Sequence, residues 1–194
     1  MNAIRESILA LFLAGWIIMI ALRVNTNTTL HLYHTQQNVL NQESMHLLTD
    51  IIEYDFRKIG HGLLNPLGAI QVADSNRIVF SYDKDPSLAY DSIKVVYKMA
   101  PIVRRSHVFN KMLIRKENST KITRFPFGIS RFHLKYYNKL GQLLPTPVVS
   151  DSLASIREIE VSITLESNNL SEKGYDRARY VSRFVPKNLL SHYE

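Results

Sequence analysis

The chain has 194 residues, a net charge of +7 and no cysteine. The missing thiols exclude disulfides, thiolate metal sites and cysteine nucleophiles, and leave the redox compartment open. Charge is unevenly spread: residues 1–103 carry 8 Lys/Arg against 9 Asp/Glu (−1), residues 104–139 carry 10 against 1 (+9), and residues 140–194 carry 6 against 7 (−1), so the basic excess lies between Arg104 and Lys139.

The first element is an uncharged run, Ile8 to Leu22, flanked by Arg5, Glu6 and Arg23. As a helix it rises roughly 22 Å, short of a hydrocarbon core of roughly 30 Å. Extending it to Ala3 and Val24 gives sufficient length but draws Arg5, Glu6 and Ser7 towards the membrane face. A carboxylate there is costly without a partner, which singles out Glu6. Arg23-Val24-Asn25 lacks the small-residue pattern of a signal-peptidase site, so a cleaved signal is not expected. No polar residue punctuates the run on any helical face, which favours a membrane anchor over a buried core helix.

Asn25 to Thr29, NTNTT, is a run of poor helix formers where a bend or melted turn is expected. Helical periodicity then resumes: Met45, Leu48, Ile52, Phe56 and Ile59 share one face, with Leu40, Leu47 and Ile51 beside it. Glu43, Asp50, Glu53 and Asp55 are expected to point outward. Gly60, Gly62 and Pro66 supply the stop. One helix from near the N-terminus to about Ile59 is the economical reading. No Lys or Arg occurs between Arg23 and Arg57, which predicts a cytoplasmic N-terminus and a domain on the other side.

From Ile70 the period changes to two. Ile78, Phe80 and Tyr82 alternate with polar or smaller neighbours, as do Ile93, Val95 and Tyr97, then Met112 and Ile114. Phe132, Leu134 and Tyr136 follow, then Ile159, Val161, Ile163 and Leu165, and last Ala178, Tyr180, Ser182 and Phe184. Turns are expected at Asp74 to Asn76, Asp85-Pro86, Asn138 to Gly141 and Ser167 to Gly174. The pattern predicts a mainly antiparallel sheet with one apolar and one wet face. If the last two strands form a hairpin, Glu158, Glu160 and Glu166 oppose Arg183 and Arg177. The sheet's apolar face needs a cover, and the Met45–Ile59 face is the available one. The fold class expected is α+β: residues 1–24 an anchor helix, 25–62 its amphipathic continuation, and 63–194 an antiparallel β domain.

An apolar anchor running into an amphipathic helix, followed by antiparallel strands, resembles the type IV pilin and type II secretion pseudopilin family, in its larger minor form. Glu6-Ser-Ile-Leu-Ala-Leu-Phe-Leu-Ala-Gly15 resembles the opening of that family's apolar helix, where a Glu stands early in the mature chain. Asp55-Phe-Arg-Lys-Ile-Gly60 resembles its helix end. Arg77 to Tyr82, Ile93 to Tyr97, Phe132 to Gly141, Ile156 to Leu165 and Phe184 to Asn188 are similar to its strands, in order. The family's leader, ending in Gly before a Phe, is not seen, and Arg5 stands where an apolar residue is usual. Either translation starts elsewhere, or the subunit is inserted without processing. The resemblance implies a subunit of an envelope-spanning filament of a pilus, secretion or DNA-uptake system. It implies an inner-membrane anchor, a periplasmic or extracellular domain, and partners that are other pilin-like subunits and the bilayer. Glu6 would then pair with the terminal amine of a neighbouring subunit and fix axial register. A single-pass protein whose β domain binds a ligand or partner without polymerising is the alternative.

The basic segment interleaves Arg104, Arg105, Lys111, Arg115, Lys116, Lys121, Arg124, Arg131, Lys135 and Lys139 with Phe109, Phe125, Phe127, Phe132 and Tyr136. Such a set suits an anionic partner: nucleic acid, anionic lipid or an acidic protein. Its bland reading is a solvated face whose aromatics are core. Asp83, Asp85 and Asp91 crowd one turn and offer oxygens to Ca2+, although Lys84 lies among them and the spacing fits no EF-hand. His31 and His34 are three apart with no third ligand near. No phosphate-cradling glycine loop, nucleophile elbow or zinc-protease motif occurs, so catalysis is not expected.

Overall fold

The structure, a computed structural model, describes residues 2–84, 92–101, 111–118, 120–125, 128–171 and 174–189. The chain divides into two units, Met1–Leu40 and Asn41–Glu194. The fold class is α+β, with one long N-terminal helix and antiparallel sheets.

Helix α1 is assigned without interruption over Asn2–Arg57. In the first unit Asn25 to Thr29, expected to bend or melt, is helical throughout. The hydroxyls of Thr26, Thr28 and Thr29 donate to the carbonyls of Leu22, Val24 and Asn25, each at 2.9 Å. Bonding four residues back satisfies each hydroxyl within the helix, so these threonines need no non-helical turn to find a partner. This helix is long and apolar enough to cross a membrane, and none of its apolar window is buried in the protein.

Among the described residues the second unit holds nine strands: β1 Ile70–Ala73, β2 Arg77–Asp83, β3 Ser92–Pro101, β4 Lys111–Glu117, β5 Lys121–Phe125, β6 Ile129–Tyr137, β7 Leu143–Leu144, β8 Glu158–Ser171 and β9 Gly174–Phe184. They form two sheets where one was expected, in the orders β1-β2-β3-β4-β5 and β7-β6-β8-β9, with every pair antiparallel. Strands β8 and β9 run on to Ser171 and from Gly174, through most of the stretch expected to be a turn. The expected turn at Asp85-Pro86 lies outside the described residues.

Both sheets and the last four turns of α1 share one core. Met45, Leu48, Ile52 and Phe56 of α1 are buried, as is Ile59 just past it, while Leu40, Leu47 and Ile51 beside them are exposed. Phe56 sits at the junction: its ring meets Phe80 and Tyr97 of the larger sheet at 5.7 and 6.0 Å and Phe184 of the smaller at 5.5 Å, all edge-on. Such pairs add to the area each ring buries. Main-chain bonds join the two sheets at the β1–β2 turn: Met99 N–H donates to the Asn76 carbonyl (3.3 Å), and Leu134 N–H to the Ser75 carbonyl (2.8 Å). Past α1 the chain turns at Gly60, at φ +76°, where an added Cβ would lie 3.2 Å from both Leu189 and Pro66. Only glycine takes that conformation freely.

Strand β4 departs from the expected phase. Leu113 and Arg115 point to the core, and Met112 and Ile114 to the outer face. Phe56→Ala would remove the ring shared by both sheets, with an expected loss of about 3–5 kcal/mol. Denaturation of the full chain in detergent, followed by near-ultraviolet circular dichroism, measures it.

Candidate functional site

The first candidate is the anchor itself. From Ile4 to Val24 the large apolar side chains of α1 are exposed, Trp16, Leu11 and Phe12 among them. Glu6 is exposed in the same stretch and has no hydrogen-bond or ion-pair partner among the described residues. By length and composition this stretch is apolar enough to cross a membrane.

The ten basic residues singled out do not form one patch. Arg104 and Arg105 lie outside the described residues. Lys116 and Arg124 project from the outer face of the five-stranded sheet, where register places Lys116 beside Val96 and Ile122, and Arg124 beside Ile114. Arg131 and Lys135 lie on the outer face of the four-stranded sheet. Lys139 is exposed in the turn after β6. Lys111 opens β4, and Lys121 opens β5 opposite Glu117. Phe125, Phe132 and Tyr136 are buried, so the aromatics interleaved with these cations are core. Phe109 and Phe127 lie outside the described residues.

Arg115 faces inward and is committed to carboxylates. Its Nε donates to Asp55 Oδ2 at 2.6 Å, one terminal nitrogen to Asp55 Oδ1 at 3.1 Å, and the other to Glu117 at 2.7 Å. The Tyr97 hydroxyl donates to Asp55 Oδ2 at 2.6 Å. Asp55 is only 1% exposed, where the sequence reading had it outward. The reason is geometric: Asp55 lies seven residues from Leu48 and three from Ile52, inside the buried stripe. A carboxylate there requires a cation, and Arg115, in phase with Leu113, supplies it from β4. Burial and the adjoining carboxylate hold the Tyr97 hydroxyl protonated, its pKa well above the ordinary value. The hydrogen bond from Arg115 lowers the Glu117 carboxyl. A cleft of about 520 Å³ opens over this network. On its wall Lys58 donates to the Tyr54 hydroxyl at 2.6 Å, with Nζ 3.9 Å from that ring's centroid.

On the outer face of the four-stranded sheet the expected hairpin has the expected charge pairing. Glu160 opposes Arg183 and Glu166 opposes Arg177, with ion pairs of 2.9 and 2.8 Å. Glu160 also accepts from Lys135 (2.9 Å) and the Tyr137 hydroxyl (3.0 Å). These donors, Lys135 first, bring its pKa down to about 2. Asp83 ends β2, while Asp85 and Asp91 lie outside the described residues. Among the described residues no three His, Asp or Glu gather as a metal would need.

Two outcomes follow from these networks. Asp55→Ala removes two of the three carboxylate contacts of the buried Arg115, leaving Glu117 alone, and is expected to cost up to about 3–5 kcal/mol, whereas replacing both Asp55 and Arg115 by apolar residues costs less; denaturant titration of both variants compares them. Folded Glu160 titrates near 2 against 4.5 unperturbed, so its stabilisation is complete above pH 4.5 and is lost as pH falls towards 2. Thermal midpoints across that window should fall less steeply in Arg183→Gln, which has already lost one of the donors. A scan against protein-family models matches no family, and a search of curated proteins matches no relative.

Proposed function

We propose that the chain is a membrane-anchored, pilin-like subunit of an envelope-spanning filament, acting by assembly of its N-terminal helix with those of neighbouring subunits. The observation that carries this reading is an apolar helix with none of its apolar window buried in the protein. A protein needing only attachment has no use for a carboxylate inside its anchor. Glu6, exposed near the start of the apolar run and without a partner among the described residues, has one in a bundle. There a neighbouring subunit's amine supplies the counter-charge in low dielectric and sets the axial offset. On this reading the N-terminus is cytoplasmic and the β domain lies beyond the membrane, following the absence of Lys and Arg between Arg23 and Arg57.

The absence of cysteine makes a direct experiment simple. Single cysteines at Leu9, Phe12, Trp16 and Met19, treated with a short bifunctional maleimide in host membranes, should give cross-linked adducts. Adding Glu6→Gln should abolish the adducts while leaving the domain folded. Monomer at every position, or adducts unaffected by Glu6→Gln, would contradict the filament reading and favour a bitopic protein that does not polymerise.

A further inference from the structure

A second cleft, of about 350 Å³, opens where the end of β3 and the start of β4 meet β6. Its polar lining is Lys111, Arg131, His133, Asn76 and Ser130, and among the described residues no carboxylate lines it. Three elements from both sheets contribute: β4 brings Lys111, β6 brings Arg131, Ser130 and His133, and the β1–β2 turn brings Asn76. That turn is the one bonded to both sheets, through Met99 and Leu134, so the walls are held at a fixed separation. Leu134 turns its N–H away from β8 towards Ser75. By the alternation of an antiparallel strand, Phe132 turns its N–H to the same edge, the edge that lines the cleft.

We propose that this cleft is a binding site for a phosphomonoester group. Three other cations of the four-stranded sheet, Lys135, Arg177 and Arg183, each face a glutamate. Arg131 does not; its partners across the sheet are Thr164 and, beyond that, Arg179. Lys111 and Arg131, both solvent-exposed, line one concavity with no acid among its described residues, so an anion entering it meets positive charge from two strands. A guanidinium fork, an ammonium and neutral N–H and O–H donors match an oxyanion with several acceptor oxygens. The apolar wall, Met99, Ala100, Pro101 and Phe132, fits the small organic body of an ester and offers nothing to a bare, fully hydrated ion. Phe132 is buried in the core, which leaves half-buried His133 as the accessible ring among the cleft's described residues and sets it apart from the row of stacking rings in a single-stranded nucleic-acid groove.

His133 reports occupancy. Burial first, and then Arg131 and Lys135 on its own strand, lower its pKa, while Glu160 of β8 opposes them. Lys111 of β4 lines the same cleft. A bound anion reverses the effect of these cations, so ligand and proton bind together. This inference is independent of the filament reading.

The test uses the full chain in neutral detergent. Inorganic phosphate titrated calorimetrically should bind saturably, roughly tenfold more weakly in Arg131→Ala and in Lys111→Ala, and undiminished in Arg177→Ala, which loses the same charge elsewhere. Arg131→Lys should restore part of the affinity, and phosphate should raise the pH at which the His133 ring resonances titrate. No saturable binding, equal weakening by Arg177→Ala, or an unmoved His133 titration overturns the proposal. A second arm places the chain in bilayer discs of phosphatidylcholine with or without phosphatidic acid. Loss of phosphate binding only with phosphatidic acid identifies a lipid headgroup as the source, and retention identifies a soluble phosphomonoester; both uphold the site.

Discussion

One helix with two incompatible surfaces sets the terms for everything else in this protein. From Ile8 to Leu22 α1 is apolar on all sides, and from Met45 to Phe56 it is apolar on one. The second surface is satisfied within the chain, where Leu48, Ile52 and Phe56 are wholly buried against two sheets. The first has no protein cover. Water cannot solvate it, so its free energy is settled by whatever apolar medium surrounds it. The β domain therefore accounts for the C-terminal part of the helix, and lipid or companion helices are what we propose for the N-terminal part.

Within the domain, specificity and stability come from different residues. The aromatic junction at Phe56 ties two sheets and a helix through apolar contact, and this is the bulk of the packing. The Asp55–Arg115–Tyr97 network contributes little net energy, because desolvating two charges offsets most of their attraction. What it does is fix register. With Asp55 buried beside Phe56, only a helix rotation and a β4 phase that bring Arg115 to its carboxylate avoid a bare buried charge. The outer face of the smaller sheet uses the same logic at lower stakes. Its central strand carries glutamates, both neighbours carry cations, and a slip of one residue would turn the glutamates into the core.

Much of this was legible in the chain, for reasons that can be named. The β8–β9 pairing is written twice, in apolar alternation and in opposing charge, and two independent signals agreeing leave little freedom. The buried face of α1 is visible because 3.6-residue spacing holds from Met45 to Phe56. The division into two sheets is not legible. Alternation reports which face of a strand is wet, and says nothing of which strands share an edge. Asp55 and Arg115 explain each other: an acid reads as outward and an arginine as solvated when each is considered alone. The spacing of Asp55 from Leu48 and Ile52 held the correction. Lys111 and Arg131 both stand in the basic segment that suits an anionic partner, but sequence order does not set this pair, or His133, apart from the other cations around them.

A membrane-anchored α1 meets two different solvents along its length. Nitroxide labels on single cysteines along α1, with the chain reconstituted sparsely in bilayers, measure this through collision with oxygen and with a water-soluble nickel chelate. High oxygen and low nickel access at every position from Ile8 to Leu22, with low access to both at Leu48, Ile52 and Phe56, is the predicted result. Low access to both reagents, repeating with helical period between Ile8 and Leu22, would mean that this stretch is packed into protein. Lipid would not then be its solvent, and the account would be contradicted.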